Sequence, residues 1–226
     1  MNKILIVAAT GFEIQPLLGW LKDKGQPLDN NKYVVGNVQL EILVTGVGAV
    51  ATAWALGRHG LSGIDLAINA GIAGALDRRL EITQTVHVVS ERFGDLGIET
   101  ADGTFSDLFQ MNLADPMQPP FTQGKLVNPA AEQAHFLPPV HGITVQKVHG
   151  FEPSIEKLRE AYPEAQVETM EGAAFFYACL LQQVPFFEIR AISNYVEKRD
   201  RSKWDIHGAV NGLNMALLEM VEVLGG

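Results

Sequence analysis

Apolar and polar positions fall along this chain in alternating short blocks. Lys3–Ala9 is a mostly apolar run of strand length, and Phe12–Lys24 has helical spacing, with Phe12, Pro16, Leu17, Trp20 and Leu21 on one side. Tyr33–Val35 and Val38–Thr45 read as two strands joined by the tight-turn pair Gly36-Asn37. Ala49–His59 is a small-residue helix, Asp65–Asn69 a buried strand, and Gly71–Gly74 a glycine-rich turn behind it. Thr85–Ser90 and Ile143–Val148 are further strands, and Pro153–Ala161 is a short helix with proline near its start. Met170–Leu181 predicts a helix, Phe186–Ile192 a strand and Trp204–Leu224 a closing helix. Strands alternate with helices, which predicts an α/β three-layer sandwich: a central mixed, largely parallel twisted sheet flanked by helices.

Six of the eleven prolines lie between Pro116 and Pro139, and the stretch 112–140 has no clear period. It reads as a surface excursion from one domain spanning residues 1–226 rather than as a second domain. The formal net charge of −9 argues against general nucleic-acid binding, which needs a basic surface. The single cysteine, Cys179, lies in an apolar run, rules out a disulfide framework within one chain, and fits a reducing compartment. The apolar start of the chain is too short for a membrane span, and no small-residue cleavage pattern follows it. A cytoplasmic location without membrane contact is therefore expected.

Five segments carry candidate chemistry. Gly46-Val47-Gly48-Ala49-Val50-Ala51 formally matches a dinucleotide fingerprint, but the acidic residue expected after the next strand is missing, since Asn69 ends it. A weaker reading survives, in which the glycine turn at Gly46 lets a ligand approach the backbone. Ile72, Ala73 and Gly74, in Asn69-Ala70-Gly71-Ile72-Ala73-Gly74, fall where α/β sheets open a ligand crevice; close helix–strand packing explains the glycines equally well. Glu13 follows the first strand, where a carboxylate is ordinarily a dipole-stabilising surface group. Glu171 opens an otherwise apolar helix, where a charge is costly unless used; near the helix N-terminus it is expected to stay ionised. Its two oxygens suit a ribose diol. Arg190-Ala191-Ile192-Ser193-Asn194 ends a strand in polar groups. The six histidines show no H-E-x-x-H pattern and no cysteine-partner spacing, and there is no G-x-S-x-G elbow, so neither a metal nor a cofactor is expected.

Taken in order, Glu13, T-G-V-G (45–48), N-A-G-I-A-G (69–74), M-E-G-A (170–173) and R-A-I-S-N (190–194) resemble the nucleoside phosphorylase/nucleosidase superfamily, especially its methylthioadenosine/S-adenosylhomocysteine nucleosidase branch. The resemblance implies that Glu13 activates water, that Glu171 binds the ribose hydroxyls with Met170 against the sugar, and that Ser193 and Asn194 face the purine. It places Val148–Phe151 along the purine edge, with Phe151 a candidate to stack on the base. It also implies a homodimer.

Two departures refine it. Adenine-specific members carry aspartate where this chain has Asn194. An amide can donate to N7 and O6 of hypoxanthine, whereas an ionised carboxylate only accepts. The stretch Asn194–Arg201 with Trp204, and Met170–Phe176, resemble the futalosine hydrolase branch, which implies hydrolysis of a hypoxanthine nucleoside on an alternative menaquinone route. The Ala8–Glu13 loop lacks the arginine that phosphorylases use for phosphate, so water is the expected nucleophile. Arg92, Lys198, Arg199, Arg201 and Lys203 all stand as partners for the substrate's distal carboxylate. An adenine-type nucleosidase and a non-catalytic nucleotide-binding module remain the alternatives.

Overall fold

The apolar runs become the strands of one curled sheet in the computed structural model, which describes residues 1–29, 31–131 and 136–226. The order is β1 (Asn2–Ala8), α1 (Gln15–Lys24), β2 (Gln26–Asp29), β3 (Lys32–Val35), β4 (Val38–Val44), α2 (Ala49–His59), β5 (Leu66–Ala75) and β6 (Thr85–Glu91). A small hairpin of β7 (Gly97–Glu99) and β8 (Phe105–Asp107) follows, then β9 (Leu126–Val127), β10 (Pro139–Thr144), α3 (Glu152–Ala161) and β11 (Val167–Thr169). The chain closes with α4 (Gly172–Gln182), β12 (Phe186–Tyr195) and α5 (Ile206–Gly225).

The strands run β11-β10-β6-β12-β5-β1-β4-β3-β2, with β9 on β6. Parallel ladders join β1 to β4 and β5, β5 to β12, and β10 to β6 and β11. β11 also pairs antiparallel with β5, which bends one half of the sheet into a closed ring. Closing that ring gives the end of β5 hydrogen-bonding partners on both sides, so no ladder edge is exposed there.

Helices cover both faces, as the alternating pattern requires. Leu56 of α2 and Phe175, Phe176 and Cys179 of α4 belong to one apolar cluster, and Leu17, Leu21, Leu213 and Leu217 of α1 and α5 to the other. A smaller cluster sits under α3 around Ile155 and Leu158.

The structure corrects several boundaries. Residues 71–74 are not a turn: they continue β5 to Ala75, paired with β12 and β11. A Cβ on Gly71 would lie 2.6 Å from Arg190 Nη1 and 2.9 Å from Glu13 Oε1. The glycine there marks close approach of side chains to a strand rather than a chain reversal. Likewise β12 runs on through Ser193 and Asn194, with a register shift beside them. The strand expected at Ile143–Val148 instead ends at Thr144, and α1 and α5 begin only after Phe12 and Trp204. The 112–140 stretch returns to the sheet through β9, where Asn128 Nδ2 donates to the Phe186 carbonyl (2.8 Å); residues 132–135 of that stretch lie outside the described residues.

Candidate active site

The carboxyl ends of β1, β5 and β12, with the loops after β4 and β11, meet around a cavity of about 380 Å³. Glu13, Ile72, Ala73, Gly74, Met170, Glu171, Ser193 and Asn194 all line it. Gly46 and Phe151 do not. Gly46 shapes the turn, at φ +88°, while its neighbour Val47 reaches the wall. Phe151 precedes α3 and is 69% exposed, and Val148 and His149 occupy the wall in its stead. The register at this loop is set by α3, which begins directly after Phe151 and turns the ring outward.

Glu13 sits in the turn between β1 and α1. Its Oε2 accepts from the Thr10 amide (2.9 Å) and hydroxyl (2.8 Å), and Oε1 accepts from the Ile72 amide (3.2 Å). Asn214, buried in the middle of apolar α5, donates to the Glu13 carbonyl (2.8 Å) and accepts from the Leu17 amide (3.0 Å). Thus the N-A-G-I-A-G segment does more than pack: its Ile72 amide aims the carboxylate. The surface reading of Glu13 is set aside, since only 8% of it is exposed.

Glu171 occupies the N-cap position of α4, and its Oε1 accepts from the Gly48 amide (2.9 Å). The glycine turn therefore points that amide at a protein carboxylate rather than at a ligand phosphate, which removes the main support for the dinucleotide reading. Opposing influences act on the carboxyl. Burial pushes it above the ordinary glutamate range, the Arg190 charge and the Gly48 amide pull it back, and the nearby Glu13 charge pushes it up again.

Ser193 donates its hydroxyl to Asn194 Oδ1 (2.8 Å) and also contacts the Ala73 carbonyl (3.2 Å). The Tyr195 carbonyl, which only accepts, fixes the flip of the amide. Asn194 Nδ2 faces the other way and gives one hydrogen to the Tyr195 carbonyl (3.0 Å), so the second remains for a ligand. Among the five candidate cations, Arg199 lies on the cavity wall, its guanidinium 5.0 Å from the Trp204 ring centre.

Beneath the cavity lies a buried acidic group that no sequence signal marked. Glu91 accepts from Thr144 (2.9 Å) and Thr169 (3.1 Å) hydroxyls, and Thr144 in turn accepts from the Ala173 amide (2.7 Å) at the start of α4. Glu188 stands 3.0 Å from Arg190 Nε, as an ion pair rather than a directed hydrogen bond. Burial raises both carboxyls: Glu91 goes well above its usual range, helped by the Glu188 charge, and Glu188 goes to about 7.

The folded chain thus keeps protons that the unfolded chain has released above the ordinary glutamate range. Stability from this pair is present at low pH and declines as pH rises through that range towards about 7 and beyond. Glu91→Gln is expected to leave the melting temperature nearly unchanged at about pH 5 and to raise it by roughly 3–6 °C at about pH 8. Thermal melts across that range test this; an unchanged pH slope in the variant would count against it.

The profile of the Phosphorylase superfamily matches residues 3–222. The chain is 34% identical over 190 residues to a futalosine hydrolase of Streptomyces coelicolor, covering 81% of this chain and 79% of that one. It is 28% identical to a 5′-methylthioadenosine/S-adenosylhomocysteine nucleosidase of Glaesserella parasuis, covering 90% of each. Its fold is similar to that of a futalosine hydrolase of Helicobacter pylori, with a TM-score of 0.78, 20% identity and 98% of each chain covered.

Proposed function

Since this chain belongs to the Phosphorylase superfamily, we propose that it is a purine nucleosidase that hydrolyses the N-glycosidic bond of futalosine, releasing hypoxanthine. The observation that carries the choice of base is the fixed amide of Asn194: Ser193 holds Oδ1, so Nδ2 is the atom offered to the ligand. A donor suits N7 and O6 of a 6-oxopurine. Glu13 takes a proton from the attacking water, and Glu171 holds the ribose hydroxyls and stabilises charge growing on the sugar. Met170 lines the sugar side, and neither metal nor cofactor enters the scheme.

The experiment is a panel of futalosine, inosine, methylthioadenosine and aminodeoxyfutalosine, incubated without phosphate, with released bases separated by chromatography. Hypoxanthine chiefly from futalosine supports the reading. Adenine chiefly from methylthioadenosine or aminodeoxyfutalosine overturns the base assignment and favours the second reading, an adenine-type nucleosidase, which has the 28% identical relative in its support. No release from any compound returns the binding-module alternative.

Asn194→Asp is expected to move selectivity towards adenine nucleosides by about tenfold or more, since one donor becomes an acceptor worth ~1.5–3 kcal/mol in a charged hydrogen bond. Ratios of kcat/KM for matched inosine and adenosine substrates measure it, and an unchanged ratio would remove Asn194 from base recognition.

The same reading gives a cytoplasmic enzyme working as a homodimer, each copy one domain over residues 1–226. No helix among the described residues is long and apolar enough to cross a membrane. Support for the dimer comes from the outer face of α2 and α4, where Val50 is 77% and Trp54 63% exposed beside an apolar cavity of about 550 Å³. A patch of this kind is typical of a protein interface. Light scattering is expected to give twice the chain mass, and Val50→Glu to shift it towards the monomer; a wild-type monomer at working concentration would refute the assembly.

A further inference from the structure

Asn194 leaves the departing base without a proton source, because an amide donates hydrogen bonds but does not hand over a proton. A purine leaving as an anion is a poorer leaving group than one protonated as the bond breaks. Water can supply that proton, and so can a side chain that faces the base.

We propose that His149, held by Glu168, is the catalytic acid that protonates the departing purine, an assignment that rests on the nucleosidase reading above. Both residues line the cavity. Glu168 is 4% exposed and grips the histidine at two points: its Oε2 accepts from the His149 amide (3.0 Å), and its Oε1 meets ring Nδ1. The clamp fixes the ring and leaves Nε2 as the nitrogen with no protein partner among the described residues. The carboxylate on Nδ1 sets the tautomer and orientation of the ring, so that Nε2 is the nitrogen free to serve a ligand.

Sheet register places the dyad at the base. Glu168 of β11 pairs with Gly74 of β5, and on the other side Asn194 of β12 pairs with the same Gly74. Glu168 and Asn194 are therefore two strand spacings apart, ~10 Å, and the residue between them has no side chain. Gly74, Asn194, Glu168 and His149 all line the one cavity, so a purine held there by the Asn194 amide lies between that amide and the dyad.

The step balances. The C1′–N9 electron pair passes to the purine as the bond breaks, and the purine takes the proton from His149 Nε2 at N3, on the edge away from the Asn194 amide. Water forms the new O–C1′ bond and gives its proton to Glu13. The base leaves neutral, the sugar leaves with a free anomeric hydroxyl, and solvent returns the proton from Glu13 to His149. This is the acid–base division of an inverting glycosidase, with histidine as the acid.

The test compares the best 6-oxopurine nucleoside of the panel with its N7-methylated counterpart in mildly acidic buffer. The methylated base already carries positive charge and leaves without an added proton. His149→Gln is expected to lower kcat on the ordinary nucleoside by ~10²-fold or more, and on the methylated one by no more than a few-fold. Glu168→Gln, at a positioning residue, should show the same contrast at smaller size. Equal losses on both substrates, or a rise in KM with kcat intact, would make His149 a binding or structural residue and overturn the proposal; so would full activity of His149→Gln on the ordinary nucleoside. If Glu168→Gln fails to fold, the His149 site, whose side chain is 13% exposed, carries the test alone. If only adenine nucleosides are cleaved, the base assignment fails separately, and the same comparison on N7-methyladenosine decides the role of the dyad.

Discussion

Glu13→Gln is expected to lower kcat by ~10²–10⁴-fold while KM changes little, the usual worth of a positioned general base. The carboxylate is held by three donors, two from Thr10 and one from Ile72. An amide can still accept from Ile72, but it turns its NH₂ towards the Thr10 donors and cannot take a proton from water. Arg190 Nη1 and Glu13 Oε1 both crowd the missing side chain of Gly71, so only glycine fits beneath the carboxylate. The fold should survive, because the Asn214 bond to the Glu13 carbonyl is untouched. Single-turnover rates with a direct binding measurement separate the two effects; near-normal turnover would take Glu13 out of catalysis.

Glu171→Ala is expected to reduce kcat/KM on the ribosyl substrate by roughly 10²–10⁴-fold, as two charged hydrogen bonds of ~1.5–3 kcal/mol each are lost. The 2′-deoxy counterpart should lose far less, since one of those hydroxyls is already gone. Burial already raises the energy of the charged carboxyl, so the loss should fall on catalysis more than on folding, although the Gly48 amide loses its acceptor. The readout is the ratio of kcat/KM for the ribosyl and 2′-deoxy substrates in wild type and variant. If wild type cleaves both equally well, Glu171 does not read the diol.

Much of the frame is written in the order of residues. Hydrophobic periodicity gave α2 its observed limits and marked β1, β4, β6 and α3 to within a few residues, because each buries one face or a continuous run against a core. The α/β character and the five polar segments were equally legible, since chemistry-bearing residues at strand ends stand out against apolar runs. Sequence order was also enough to bring Glu13, Glu171, Ser193 and Asn194 into one reading.

Tertiary structure decided what each of these groups faces. Gly71 and Gly74 look like a turn along the chain and are a strand in the sheet, because β12 pairs along both and β11 folds back on β5 at Gly74. Asn214 reads as a stray polar residue in an apolar helix until the turn at Glu13 is placed against it, 201 residues away. The resemblance put His149 in the segment along the purine edge but gave it no role and gave Glu168 none; only the register of three strands across Gly74 joins the two, 19 residues apart, and sets them across the cavity from Asn194. Glu91 and Glu188 are similarly silent, and only the fold shows that Arg190, which heads a polar strand end, pairs with Glu188, since a buried charge becomes informative only when its neighbours are known. Local sequence fixes which residues prefer strand or helix and which can do chemistry; the pairing of distant strands alone determines the distances between them, and through those distances the function.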